Sequence, residues 1–121
     1  LPMIYHRFEE LPVWQYAKKL TIEIYRTFKQ HRDWAYRDQI QRASVSIMNN
    51  IAEGFERGST KELRQFLYIA KGSCGEVRSM LAITVDVSDV PIQQSQKLSE
   101  LSQDISKMLA GFIRSLRIST I

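Results

Sequence analysis

One cysteine, two histidines, three prolines and five glycines are spread over 121 residues, and each scarcity closes off a class of protein. Cys74 alone makes no internal disulfide. His6 and His31 stand near segment ends with no Cys or His at ligand spacing, so neither a zinc site nor any other metal or cofactor is expected. No glycine-rich loop is present to cradle a phosphate. No apolar run approaches the roughly 20 residues of a membrane span, so no membrane partner is expected. Leu1, Pro2, Met3 and Ile4 do not follow the leader pattern of a charged stretch and then an apolar one. They read as a trimmed start, and the expected location is a reducing cytoplasm. Charge of one sign is also scarce. The net charge is +4 and the isoelectric point about 9.4, but residues 34–57 are balanced and residues 58–87 and 88–121 each carry one excess cation. A monomer with this distribution has only a modest electrostatic case for gripping a phosphate backbone, although a ring of identical subunits would concentrate weak charge on one rim.

Helical periodicity is what the chain does have. Ile40, Ser44, Ile47, Ile51 and Phe55 recur at i, i+4, i+7, i+11 and i+15, which predicts a helix burying one face. Four helices are expected, at about 12–29, 34–57, 60–87 and 92–117, in one all-α domain covering residues 1–121. Pro12 suits a first helical turn, Asp33 is placed to cap the second helix, and Ser59-Thr60-Lys61-Glu62 reads as a capping box opening the third. Val90-Pro91 separates the third helix from the fourth. Stripes of Val13, Ala17, Leu20, Ile24 and Phe28, of Leu63, Leu67, Ala70, Cys74, Val77 and Leu81, and of Leu98, Leu101, Ile105, Leu109 and Phe112 supply the other core faces. Long amphipathic helices with short connections predict an up-down-up-down four-helix bundle.

Three features fall outside that core. Trp14, Ile22, Tyr25, Tyr68 and Ile69 exceed the face a four-helix core covers, and such surplus apolar surface marks subunit contacts. Gly72 and Gly75 each cost up to about 1 kcal/mol against alanine inside a helix, a cost that close approach of another helix would offset. The outer strip of Arg42, Ser46, Asn49, Glu53 and Arg57 is richer in small polar groups than an ordinary wet face, though Glu53 and Arg57 are spaced to pair with each other. Asn50, at the core edge, is expected to fix helix register through a hydrogen bond to a neighbouring helix. Cys74 sits among small residues and reads as a packing residue, not a nucleophile. No nucleophile with a matching base appears, so the chain is not expected to be an enzyme.

Several of these segments resemble the family of four-helix-bundle proteins called 23S rRNA-intervening sequence proteins. The resemblance rests on Leu11-Pro12-Val13-Trp14-Gln15, on Gln39 through Ile47 with Asn50-Ile51-Ala52-Glu53-Gly54, and on Glu62 through Ser73 including Phe66-Leu67-Tyr68-Ile69-Ala70. It spans most of the chain, with the fourth helix similar in character only. Met48 stands where the family often has proline, which implies a straighter second helix. Gln41 replaces a common second arginine, which weakens a basic contact. The resemblance implies a homo-oligomeric ring, commonly a pentamer, from a gene often found within ribosomal RNA intervening sequences. Relatives that accompany diversity-generating reverse transcriptases are similar in fold and bind nucleic acid and the polymerase through a basic ring.

The leading functional expectation is a non-enzymatic homo-oligomer that binds structured RNA or DNA through Arg37, Arg42, Arg57, Lys61, Arg64 and Lys71, which flank the hairpin between the second and third helices. The rival is an oligomeric scaffold that recognises a protein partner through Arg42, Asn49 and Glu53 and makes no nucleic-acid contact. Trp14, Tyr25, Asn49, Asn50, Glu53 and Tyr68 are the candidate interface residues.

Overall fold

Each predicted boundary signal is used by the backbone, though not always as the pattern suggests. A computed structural model describes residues 4–116, so the expected end of the fourth helix at 117 and the reading of residues 1–3 lie outside the described residues. Among the described residues there are four long helices and no strand. Pro12 opens α1 (Pro12–Thr27), where its missing N–H leaves no donor unpaired. A single 3-10 turn at Phe8–Glu10 precedes it. Asp33 accepts the Tyr36 N–H at 3.1 Å and starts α2 (Trp34–Glu56), which runs unbroken through Met48. Gly58 takes a positive φ of 77°, a conformation open to glycine at little cost, and the chain reverses into α3 (Thr60–Ala82).

At that turn only half of the expected capping box forms. The Ser59 hydroxyl accepts the Glu62 N–H at 3.1 Å, but the Glu62 carboxylate faces Arg57 across the turn at 3.5 Å. The third helix is also shorter than its pattern suggests. It ends at Ala82, and a separate turn α4 (Thr84–Val87) follows. Thr84 explains the break. Its buried hydroxyl meets the Tyr36 hydroxyl at 2.6 Å, and Tyr36 in turn donates to the Met80 carbonyl at 2.7 Å, engaging a carbonyl that a continuing helix would use. The last helix, α5 (Ile92–Ser115), begins directly after Pro91. The first helix likewise stops two residues before the expected bound, with Phe28 as a buried cap.

Around the bundle α1 packs against α2 and α5, and α3 packs against the same two helices. Leu20, Ile24, Ile40, Ile47, Ile51, Leu67, Val77, Ile105 and Leu109 have no exposed surface and form the centre. At about 1.5–3 kcal/mol for each large aliphatic side chain removed from water, this burial is the main stabilising term. Polar pegs set the alignment between helices. Thr21 Oγ1 shares its proton between the Ala17 carbonyl of its own helix at 2.9 Å and the Ser44 carbonyl at 3.2 Å, linking α1 to α2. Ser95 Oγ donates to the Leu81 carbonyl at 3.0 Å and Ser102 Oγ to the Cys74 carbonyl at 3.1 Å, linking α5 to α3. Gln94 Nε2 donates to Thr27 Oγ1 at 2.9 Å, joining the start of α5 to the end of α1. Each such bond contributes about 1 kcal/mol, and a lost partner would leave a buried polar group unpaired.

Among the helical glycines, the close approach to a neighbouring helix is at Gly54, not at Gly72 or Gly75. A Cβ there would lie 2.7 Å from Phe66 Cβ and 3.2 Å from Leu63 Cδ1, whereas Gly72 and Gly75 have nothing within 4 Å of the corresponding position. The expected helix contact at those two glycines is therefore not made within the subunit. Gly54→Ala is expected to push α2 from α3 and cost about 1–3 kcal/mol. Urea unfolding would show a lower midpoint at unchanged slope, and an unshifted midpoint would contradict this packing.

Candidate nucleic-acid and assembly surfaces

The six cations proposed from the sequence do not form one patch. Arg37 and Arg57 lie 20 positions apart on α2, about 30 Å at 1.5 Å per residue. Arg37 is half-buried, 5.7 Å from the Trp34 ring centre and 3.6 Å from Asp38 Oδ1. At the α2–α3 turn the structure gathers Arg57, Lys61 and Arg64, but two of these are already engaged. Arg57 meets Glu53 at 3.0 Å and Glu62 at 3.5 Å and stacks over Phe66 at 5.1 Å. Its hydrogen bond to Glu53 holds the guanidinium proton more tightly than usual. Arg64 donates to the Leu116 carbonyl at 3.1 Å and lies over the Tyr68 ring at 5.8 Å. Arg42, Lys61 and Lys71 are exposed, and among the described residues no carboxylate comes within 4.0 Å of them.

The sequence reading missed two cations that join Lys71. Arg78 lies two turns along α3, and Lys107 faces it from α5. With Gln103, Ser106 and Ala110 they line an open groove of about 320 Å³. The i, i+7 spacing of Lys71 and Arg78 was legible, whereas the presence of Lys107 depends on how α5 aligns with α3.

Asn50 does not bridge helices directly. Its Nδ2 donates to the Ser46 carbonyl at 2.7 Å and to Ser46 Oγ at 3.0 Å, one turn back on its own helix. Ser46 Oγ then meets Ser73 Oγ of α3 at 2.9 Å, so Asn50 orients the hydroxyl that makes the contact. Asn49 and Glu53 lie exposed on the outer strip with Arg42.

The surplus apolar residues divide. Trp14 is half-buried inside the subunit, its ring edge-on to Phe8 at 5.2 Å and its Nε1 sequestered without a hydrogen-bond partner. Tyr25 is 45% exposed, Ile22 39%, and Tyr68 and Ile69 each 52%. Tyr25 borders a shallow groove with Arg26, Lys29, Arg37 and Gln41. A second apolar group at the opposite end from the α2–α3 turn was not anticipated. There Ile83, Val85, Val87 and Ile92 remain exposed because α4 interrupts the α3 pattern.

The sequence model of the 23S rRNA-intervening sequence proteins matches residues 9–111. No curated protein matches the chain. Among solved structures, a protein of unknown function from the S23 ribosomal protein family of Bacteroides thetaiotaomicron VPI-5482 is similar at 22% identity with a TM-score of 0.78. The match covers 84% of this chain and 98% of that one. At that identity the likeness establishes a shared fold.

Among the described residues no group of His, Cys, Asp and Glu side chains is arranged to hold a metal ion. His31 packs between Phe28 and Tyr36, and its Nδ1 lies 3.2 Å from the Asp33 N–H. Cys74 has no exposed surface, and burial pushes its thiol up to about 11, partly opposed by hydrogen bonding to Ser102. The folded state therefore holds this proton more tightly than the unfolded chain. Its contribution to stability is complete below the ordinary thiol value of 9.0 and declines as pH rises toward 11. A thiol reagent at pH 8 is expected to modify Cys74 only after denaturation, and alkaline destabilisation is expected to be smaller in Cys74→Ala. Rapid labelling of the native protein would contradict this burial.

Proposed function

The chain belongs to the 23S rRNA-intervening sequence protein family, and on that premise we propose that it is a non-enzymatic, homo-oligomeric helical bundle that binds structured RNA or DNA in the bacterial cytoplasm. In this reading the helices form an up-down-up-down bundle and the subunits close into a ring, with five as the number the family resemblance implies. The observation that carries the reading is the exposure of Ile22 and Tyr25 on α1 and of Tyr68 and Ile69 on α3. Large apolar side chains on two outer faces are costly in a monomer and are stabilising when a second copy covers them. A closed ring provides for this because each subunit presents one face and receives another.

Nucleic-acid binding is the finer part of the proposal. Arg42, Lys61 and Lys71 have no acidic partner among the described residues, and a ring repeats them once per subunit. Five weak basic surfaces on one assembly act together by raising the effective concentration of each contact. The Bacteroides origin of the similar structure agrees with a bacterial source. One observation favours the rival, an oligomeric scaffold for a protein partner. Arg57, at the centre of the hairpin set, is already neutralised by Glu53 and Glu62, leaving Asn49 and Arg42 as the open polar groups of the strip.

Light scattering is expected to give five times the subunit mass, and the double variant Tyr68→Glu with Ile69→Glu to give a smaller species that retains its helical signal. A wild-type mass of one subunit would overturn the assembly. Binding to a ribosomal RNA fragment that weakens steeply as salt rises would support the nucleic-acid reading. Absence of binding at low salt would remove it and leave the scaffold.

A further inference from the structure

We propose that the groove between α3 and α5 grips the phosphodiester backbone of a duplex nucleic acid, with Lys71, Arg78 and Lys107 as the phosphate ligands. The inference rests on the nucleic-acid reading above and moves its site away from the α2–α3 turn. Three cations line one cavity of about 320 Å³ with no acidic residue among its lining side chains. None of the three comes within 4.0 Å of a carboxylate among the described residues. Arg57 differs sharply, since two carboxylates already occupy it. Like charges lining one groove with no carboxylate in ion-pair contact give it a positive potential, which an anion in the groove would satisfy.

The shape of the groove selects a backbone over other anions. Ser106 and Ala110 give the α5 wall small side chains beside Lys107, and Gly75, between Lys71 and Arg78 along α3, has nothing within 4 Å of where a Cβ would stand. A phosphate can therefore approach the helices closely. Lys71 and Arg78 are seven residues apart, about 10 Å along the helix, which along a duplex axis corresponds to roughly three phosphates of one strand at about 3.4 Å of rise each. No aromatic side chain lines the groove on which an unpaired base would stack, and no apolar side chain larger than Ala110 offers a pocket for a peptide. Gln103 and Ser106 add neutral donors for phosphate oxygens. Contacts of this kind position a duplex without reading its sequence.

The test compares the full-length protein with Lys71→Gln, Arg78→Gln, Lys107→Gln and the triple variant, using a short mixed-sequence duplex across a salt series. Lys97→Gln, an exposed α5 position outside the groove, serves as the charge control, and melting curves with light-scattering mass establish that each variant is folded and assembled. Each single substitution is expected to reduce the slope of log affinity against log salt by about 1, and the triple variant to lose at least about tenfold in affinity. Lys97→Gln should match the wild type. Wild-type binding that the triple variant keeps at full strength and slope would overturn the groove while leaving the nucleic-acid reading intact. A wild type that binds no duplex at low salt would overturn both. Capture of polyglutamate in place of duplex, lost in the same triple variant, would also overturn the proposal, in favour of an acidic protein partner.

Discussion

The contact between α2 and α3 at Gly54 is the constraint from which the rest of the architecture follows. With Phe66 Cβ only 2.7 Å from where a side chain would begin, the two helices meet near the Gly58 turn at a distance that excludes even alanine without displacement. Once they are pinned there, the Ser46–Ser73 hydroxyl pair falls midway along the contact. The Tyr36 hydroxyl then reaches the Met80 carbonyl at the far end, at 2.7 Å. Three contacts spread along two 23-residue helices leave one alignment in which the apolar stripes and the hydroxyls are satisfied together. Slipping by a turn would bury Gly54 against a different side chain and leave Tyr36 without its acceptor.

That alignment also decides what stays outside. A helix in a four-membered bundle buries one stripe and the flanks beside it, so residues such as Tyr25, Tyr68 and Ile69 have no place in the core of a single chain. Cations are sorted by the same geometry. Near the α2–α3 turn Arg57 finds Glu53 and Glu62 and Arg64 finds the Leu116 carbonyl, so that both become part of the fold, while Lys61 stays open. Those facing α5 lie beside serine, alanine and glutamine and keep their charge available. The same helices thus carry two kinds of open surface, apolar outer faces and a basic groove.

Much of the fold was legible because helical periodicity records burial directly. Ile40, Ile47 and Ile51 are fully buried as the stripe implied, and so are Leu67, Ala70 and Cys74. Pro12, Asp33 and Ser59 mark the starts of three helices because each satisfies or removes a donor locally. What failed depended on which of several possible partners each group takes in the folded chain. The break after Ala82 follows from Thr84 meeting Tyr36, 48 residues earlier, and no local pattern reveals it. The capping box was half right because Arg57 competes for the Glu62 carboxylate. Asn50 bonds within its own helix because Ser46 stands one turn behind it. Gly72 and Gly75 suggest close helix approach by their cost alone, yet within the subunit the approach is at Gly54, and only the packing reveals that. The basic groove was missed for the same reason, since Lys107 is 36 positions from Lys71 in the chain and its neighbour only in the folded subunit.

Lysine footprinting tests the role of the basic groove most directly. The assembled protein would be treated with an amine-reactive reagent at low salt, with and without duplex, and the extent of modification at each lysine read by mass spectrometry. The account predicts that Lys71 and Lys107 are shielded together when the duplex is present while Lys97, on the same helix as Lys107, reacts as before. Unchanged modification at Lys71 and Lys107, or equal shielding of all three, would contradict it.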